Sequence, residues 1–438
     1  MENITYRIAM TGIVLSTLLF LACLGLIFSE KINRTIVAFA GAVLMVGLGS
    51  VLGFYSETQA LAAIDFKTLG VLLGMMILVA LLEPTGVFQY LAVWAGRLSR
   101  GKPIRLLILL GTVTTVLSMF LDNVTTVVLI APVTILISEI LGISPLPYLM
   151  AEALLSDTGG VATLLGDPPN ILIASAAGFS FVDFLTHSLP IVLVAWLVAL
   201  LIMCYLFRNE LATFPENPAA IFKLDVSEIL TDRVTARRVV IVLAGALFVL
   251  FFQGILEISP AFIALCAAAI ALVWVRPDPS KVLKQVEWSV LVFFTALFVM
   301  VGGIKATGVL DALVSVLNNA GNVAPVLFGV IIIWLVAGIS AVVDNVPVTI
   351  ALIPIIQGLG ASGMNTDPLW WALVFGAGFG GNGTIIGSTA NIVVANLSER
   401  THTPITSYLW NKRGLPVMLV TCLVATVMYV IFYEWFAH

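Results

Sequence analysis

The sequence predicts an all-α polytopic membrane protein of two inverted repeats, with about ten transmembrane helices, two re-entrant hairpins and two discontinuous helices. Three observations predict it. Of the 438 residues, 61% are hydrophobic and only 10% charged, and mean hydropathy is +1.13, a balance that soluble folds do not carry. Apolar stretches long enough to cross a hydrocarbon core of about 30 Å recur nearly end to end. Four separate motifs then repeat at a spacing of 222 residues or one fewer.

The elements follow in order. Stretch 8–28 is too long for a signal-peptide core and lacks a small-residue cleavage pattern after it, so it is expected as a retained helix. Spans are expected near 34–54 and 68–94. Stretch 104–141 is nearly twice one helix length and is interrupted by Asp122-Asn123, which reads as a hairpin. A broken helix over 147–178 and a span near 186–207 complete a first repeat, 1–207, and a polar linker, 208–237, is expected in the cytoplasm. The second repeat, 238–438, carries spans near 238–256, 260–275 and 288–304, a hairpin over 323–360 interrupted at Asp344-Asn345, a broken helix over 368–397 and a last span near 414–433.

Loop charge supports the hairpins, because lysine and arginine collect on the cytoplasmic side. With two hairpins, the loops around Lys31 and Arg34, Arg97 to Arg105, Arg208 to Arg238, Arg276 to Lys284 and Arg400 to Arg413 share one side. The opposite loops hold little beyond Lys67 and Lys305. That arrangement predicts a multi-pass protein of the inner membrane with both termini extracytoplasmic.

Composition also excludes classes. The net charge of −4 comes with no basic face free for a nucleic acid. Cys23, Cys204, Cys266 and Cys422 lie far apart in or beside apolar segments without CxxC spacing, and His187, His402 and His438 form no HExxH. Neither an enzyme nor a cofactor is expected.

The repeats carry the chemistry. LDNVTTVVLIAP around Asp122 matches VDNVPVTIALIP around Asp344 (344 − 122 = 222), and Thr85-Gly86-Val87 matches Thr307-Gly308-Val309 at the same spacing. Asp65-Phe66 matches Glu287-Trp288, and GGVATLLGDPPN ending at Asn170 matches GGNGTIIGSTAN ending at Asn391 (391 − 170 = 221). An odd number of spans per repeat forces the second to sit upside down, the plan of secondary transporters with a midplane site at discontinuous helices.

Asp122 and Asp344 fall midway along apolar runs, where an aspartate costs about 2.5–3.5 kcal/mol on insertion scales. They read as caps of hairpin tips, as proton-coupling groups, or as both. Gly166-Asp167-Pro168-Pro169-Asn170 cannot remain helical, since two prolines remove donors and push their predecessors toward extended geometry. The break frees carbonyls which, with Thr163 and Asn170, are hard oxygen ligands for Na+ or partners for a polar solute. In the second half the break rests on glycines from Gly376 to Gly387. Asp157 has no acidic counterpart, its mate being Gly378, while Glu83 aligns with Lys305 (305 − 83 = 222). Structural roles are expected for Asp157, and for Glu83 and Lys305 either a pairing across the repeats or placement at helix ends.

These motifs resemble the ion transporter superfamily, most closely its branch of arsenite permeases (ArsB), sodium/proton antiporters (NhaD) and P-proteins. The likeness runs from about Asp65 to the C-terminus, and GDPPN leans toward the P-protein type. The resemblance implies one half-site of Asp122, Asn123, Thr126, Thr163, Gly166, Asp167 and Asn170, and another of Asp344, Asn345, Thr349, Thr384 and Asn391. Na+ is expected at Asn123, Thr163 and Asn170 and at Asn345, Thr384 and Asn391, with Asp122 and Asp344 carrying the protons. It also implies a homodimer, an elevator-type movement and, for an arsenite permease, an accessory ATPase as partner. Dicarboxylate-transporting cousins have Ser-Asn-Thr tips, and aspartate in their place opposes an anion. The expected function is proton-coupled efflux of arsenite or antimonite, with Na+/H+ antiport or a P-protein-like anion channel or transporter as alternatives.

Overall fold

The computed structural model describes residues 2–29, 31–215, 217–223, 229–309 and 324–437, apart from the side chains of residues 2–9, 28 and 223. Linker residues 216 and 224–228, the Lys223 side chain and residue 323 of the expected second hairpin lie outside the described residues.

The first half runs α1 (Glu2–Phe28), α2 (Arg34–Leu52), α3 (Glu57–Ala63), α4 (Phe66–Leu82), α5 (Val87–Ser99), α6 (Pro103–Ser118), α7 (Asn123–Leu141), α8 (Leu146–Gly160), α9 (Pro168–Ala177) and α10 (Leu189–Leu206). The second half runs α11 (Arg233–Phe251), α12 (Pro260–Val275), α13 (Pro279–Gln285), α14 (Trp288–Ala306), α15 (Pro325–Ser340), α16 (Asn345–Ala361), α17 (Asp367–Gly380), α18 (Thr389–Ser398) and α19 (Ser407–Ile431). Short helical turns between them are left unnumbered. Six helices of the second half, α13 to α18, start 221 or 222 residues after their mates α3, α4, α6, α7, α8 and α9. Among the described residues, eight helices are long and apolar enough to cross a membrane, and α6, α12, α15 and α16 are shorter apolar helices. Exposed aliphatic side chains such as Val51 and Ile255 cover the outside, as a lipid-facing surface requires.

One expected span is divided. The run 68–94 reads as a single helix, but Glu83-Pro84-Thr85 form a 3-10 turn and Gly86 takes φ +78°, so α4 ends and α5 begins on a new axis. Proline cannot donate to the helical ladder, and a left-handed residue cannot continue it. A Cβ at Gly86 would fall 2.0 Å from the Ile229 carbonyl, so the linker seals this corner. Its described residues dock on the first half: Arg97 donates to the Phe222 carbonyl (3.0 Å) and the Thr231 N–H to the Thr85 carbonyl (3.0 Å).

Close contacts at glycine set the helix directions. A Cβ on Gly111 of α6 would meet Leu155 of α8, and one on Gly159 of α8 would meet Thr115 of α6, so the two helices run parallel. The short turn 142–145 then returns the end of α7 to the level where α6 began, which makes α6 and α7 a hairpin. In the second half Gly376 faces Ile333 and Val336, and Gly380 faces Ala337 and Ser340, so α15 and α17 repeat the parallel pairing. Inversion follows from α4. Gly41 and Gly303 pair α2 with α14 in the same direction through Met300 and Met45. A Cβ on Gly302 near the end of α14 would meet Ala63, just before the start of α4, at 2.5 Å, so α4 crosses opposite to both. Gly70 and Gly74 of α4 face Ala261 and Ala264 of α12 in the same direction, so α12 opposes its mate α2. Small residues at these crossings let backbones approach, the usual means of helix association where lipid is as apolar as leucine.

Candidate substrate and ion site

The two hairpin tips are built alike. Asp122 caps α7, its Oδ1 accepting the Thr125 N–H at 2.9 Å, and Asp344 caps α16, accepting the Val346 N–H at 3.1 Å. Both therefore act as caps, and both also face a cavity. Behind each tip a serine ties it to the helix that precedes the break. Ser118 Oγ reaches the Ser156 carbonyl at 2.8 Å as well as Asn123 Oδ1, and Ser340 Oγ donates to the Ala377 carbonyl at 2.9 Å.

The breaks are equally matched. Between α8 and α9, and between α17 and α18, the chain leaves the helix beside the tips, and the Thr163 and Thr384 hydroxyls donate to the Met119 and Ala341 carbonyls. Asn170 Nδ2 donates to the Gly160 and Thr163 carbonyls at 2.9 and 2.8 Å. Asn391 Nδ2 does the same to Gly381 and Thr384 at 2.9 and 3.0 Å. These amides replace helical donors lost at the break, so buried carbonyls stay satisfied. Around Gly166, the Gly160 and Ser118 carbonyls come within 2.5 and 2.7 Å of where a Cβ would be, and around Gly387 the Gly381, Ala341 and Ser340 carbonyls come within 2.5 to 3.0 Å. Oxygens of tip and break thus converge at both glycines, a donor set suited to Na+.

The cavity, about 250 Å³, lies between the tips, α4 and α14. Among the described residues five acids line it, Glu83, Asp122, Asp167, Glu287 and Asp344, with one base, Arg34. Arg34, the first residue of α2, pairs with Asp344 and lies over the Phe293 ring at 5.4 Å. Besides that pair, side-chain hydrogen bonds at the breaks join the halves, among them Asn345 Nδ2 donating to Asp167 Oδ2 at 2.8 Å and Ser388 Oγ to Asp157 Oδ1 at 3.0 Å.

A family model described as citrate transporter (CitMHS) matches residues 24–376. The chain belongs to the citrate transporter (CitMHS) family. This family chain is 38% identical over 418 residues to a 46 kDa membrane protein of Mycobacterium leprae, covering 94% of itself and 97% of that protein. It is also 30% identical over 499 residues to the human P protein, covering 94% of itself and 59% of the relative, in line with the P-protein likeness of its motifs. In fold it resembles the YdaH transporter of Alcanivorax borkumensis, with TM-score 0.65 at 17% identity over 92% of this chain and 99% of that one. The protein is a multi-pass membrane transporter.

Of the residues expected at the site of this CitMHS chain, Asp122, Asn123, Asp167, Asp344 and Asn345 line the cavity. Thr163, Gly166, Asn170, Thr384 and Asn391 stand behind it and shape the breaks, as described above. Thr126 is buried with its hydroxyl unpartnered among the described residues, and Thr349 donates to the Asn345 carbonyl at 2.8 Å within its own helix. Glu83 lines the cavity, and among the described residues the ion pairs are Arg34–Asp344 and Arg413–Glu210, so Glu83 and Lys305 do not pair. Asp157 is buried at 2% exposure with Oδ2 unpartnered among the described residues. Its mate is a glycine because a Cβ at 378 would fall 2.2 Å from Val161.

Sequence reasoning passed over Ser118, Ser340, Arg34 and Glu287. The serines carried a signal, being four residues before each tip aspartate and 222 apart (340 − 118 = 222). Arg34 carried none, since its approach to Asp344 bridges 310 positions.

Proposed function

We propose that this transporter exchanges protons for a small monovalent cation, Na+ being the first candidate. The observation that carries the reading is the cavity wall, where among the described residues five carboxyl groups face a single guanidinium. A wall of that formal charge attracts a cation and opposes an anion such as a tricarboxylate. Carbonyls around Gly166 and Gly387 supply neutral oxygens, and Asp122 or Asp344 supplies the charge that either ion neutralises.

Proton-coupled arsenite or antimonite efflux is the second reading. One observation favours it: Asn123 uses its Oδ1 toward Ser118 and leaves its amide nitrogen without a partner among the described residues, at a site that also holds Met75 and Met76. Against it, the amides of Asn170 and Asn391 and the hydroxyls of Thr163 and Thr384 are spent on backbone carbonyls, so few neutral donors remain for an uncharged trihydroxide. A homodimer in which the tip-bearing helices move against α1 to α4 and their mates completes the proposal.

Purified protein in liposomes carrying a pH gradient and a pH-sensitive dye decides between the readings. Added Na+ should collapse the gradient, and arsenite or citrate should not. A collapse with arsenite alone makes the second reading the correct one, and a response to citrate alone sinks both.

A further inference from the structure

A second cavity, about 300 Å³, lies at the opposite end of α4. Lys67, Thr68 and Val71 in the first turns of α4 line it, whereas Val79, Ala80 and Glu83 near the other end line the cavity between the tips. Its rim comes from Ser259 to Ala261 at the start of α12. The first cavity is rimmed by Arg34 at the start of α2 and by Glu287, Val290 and Phe293 at the start of α14. These are repeat mates: α12 answers α2, and Thr68 and Val71 answer Val290 and Phe293 (290 − 68 = 222; 293 − 71 = 222). Because the repeats are inverted, equivalent residues open toward opposite faces.

The partition between the cavities is one side chain thick. Ile171 of α9 lines both, Val71 and Leu164 line only the second, and their neighbours Leu72 and Leu165 line only the first. All five are aliphatic and between 1 and 6% exposed. A hydrated ion does not cross such a layer while it is closed, since a hydrophobic constriction excludes water. Beyond it the wall is polar and balanced, with Lys67, Glu257 and a buried Gln253 whose Oε1 is unpartnered among the described residues. Balanced charge holds a cation less tightly than the acidic wall on the other side, so the second mouth suits release or arrival.

We propose that this second cavity is the opposite-face vestibule of the transport path and that the aliphatic layer centred on Ile171 is the gate between the two mouths. The class of solute rests on the cation-exchange reading, but the position of the path does not.

Single cysteines at Met76, Ser175 and Ile171, in a full-length chain whose Cys23, Cys204, Cys266 and Cys422 are replaced, report on it in right-side-out and inverted vesicles treated with a membrane-impermeant cationic methanethiosulfonate. Met76→Cys should react from one face, Ser175→Cys from the other, and Ile171→Cys from both. Should the replaced background misfold, the same substitutions enter the native chain and its own reactivity is subtracted. Reaction of Met76→Cys and Ser175→Cys from one common face, reaction of Ser175→Cys from neither, or protection of Ile171→Cys from either face overturns the proposal. Ile171→Gly vesicles should leak Na+ passively, and vesicles as tight as wild type would remove the gate. Intact two-faced labelling without Na+-driven proton movement would sink the choice of cation and leave the path standing.

Discussion

Asp122 and Asp344 occupy equivalent positions and meet different partners. Asp344 faces Arg34, while Asp122 has no ion-pair partner among the described residues. The two tips are therefore chemically unequal, and Arg34 acts as a tethered cation at one of them. Asparagine caps a helix about as well as aspartate, so Asp122→Asn and Asp344→Asn remove charge while sparing the tip. Each should abolish Na+-driven proton movement in liposomes while the protein elutes as a monodisperse peak; two active variants would reduce the aspartates to caps. Arg34→Gln should lower the apparent KM for Na+. The pair is partly exposed, and such pairs contribute about 0.2–1 kcal/mol, which corresponds to at most about fivefold. An unchanged or raised KM would mean that Arg34 does not compete with the transported ion. The tip aspartates were legible in the sequence, because an acid in an apolar run stands out and these two recur at one spacing. Arg34 was legible only as a loop charge, since its side chain crosses from another helix to reach the tip.

At the scale of elements, the breaks depend on asparagine and the crossings on glycine. Asn170→Ala takes the side-chain donor from the Gly160 and Thr163 carbonyls, and Asn391→Ala takes it from those of Gly381 and Thr384, the last of which keeps the Gly387 N–H at 3.2 Å. Each should cost about 1–3 kcal/mol, read as a lower midpoint in a detergent thermal-shift assay, with transport lost at the same time. Asn→Gln, which keeps the group but displaces it, should recover less than half of the loss; full recovery would show that the exact placement of the amide is unimportant. Gly378→Ala drives a methyl group into Val161, and overpacking of this kind costs about 1–3 kcal/mol. Val161→Ala in the same chain should recover part of it, and strictly additive losses would show that the two positions do not touch. The hairpins and breaks were readable because Asp-Asn, Pro-Pro and clustered glycines punctuate long apolar runs. The division of 68–94 into α4 and α5 was not, because a run interrupted only by Glu83-Pro84-Thr85-Gly86 looks continuous to a count of apolar residues.

At the scale of the whole molecule, parallel packing of α6 with α8 and of α15 with α17 brings both ends of each hairpin to one level. Arg100 and Gly142 flank the first hairpin and are both exposed, so cysteines there are open to labelling reagents, although the left-handed backbone at 142 (φ 65°) strains any residue with a Cβ. Both should label from the same face of sealed vesicles; labelling from opposite faces would turn the hairpin into two full spans. The linker adds a constraint that charge counting missed. Its contacts with Arg97, Gly101 and Thr85 fasten it to the first half, and a free tether would make none of them.

By itself the sequence determined the membrane class, the two-fold repeat and the places where helices must stop. Those properties follow from local chemistry: apolar length, the missing donors of proline, the freedom of glycine, and motifs that recur at a constant spacing. Only the tertiary structure decided which groups share the cavity. Arg34, Glu83, Asp122, Glu287 and Asp344 come from five separate segments, and residues such as Asn170 and Thr384, which read as ligands, turn inward to satisfy carbonyls at the breaks. A one-dimensional pattern records that a polar group is present in an apolar run, but the partner that satisfies it is set by packing of distant helices, where every buried donor or acceptor must find one.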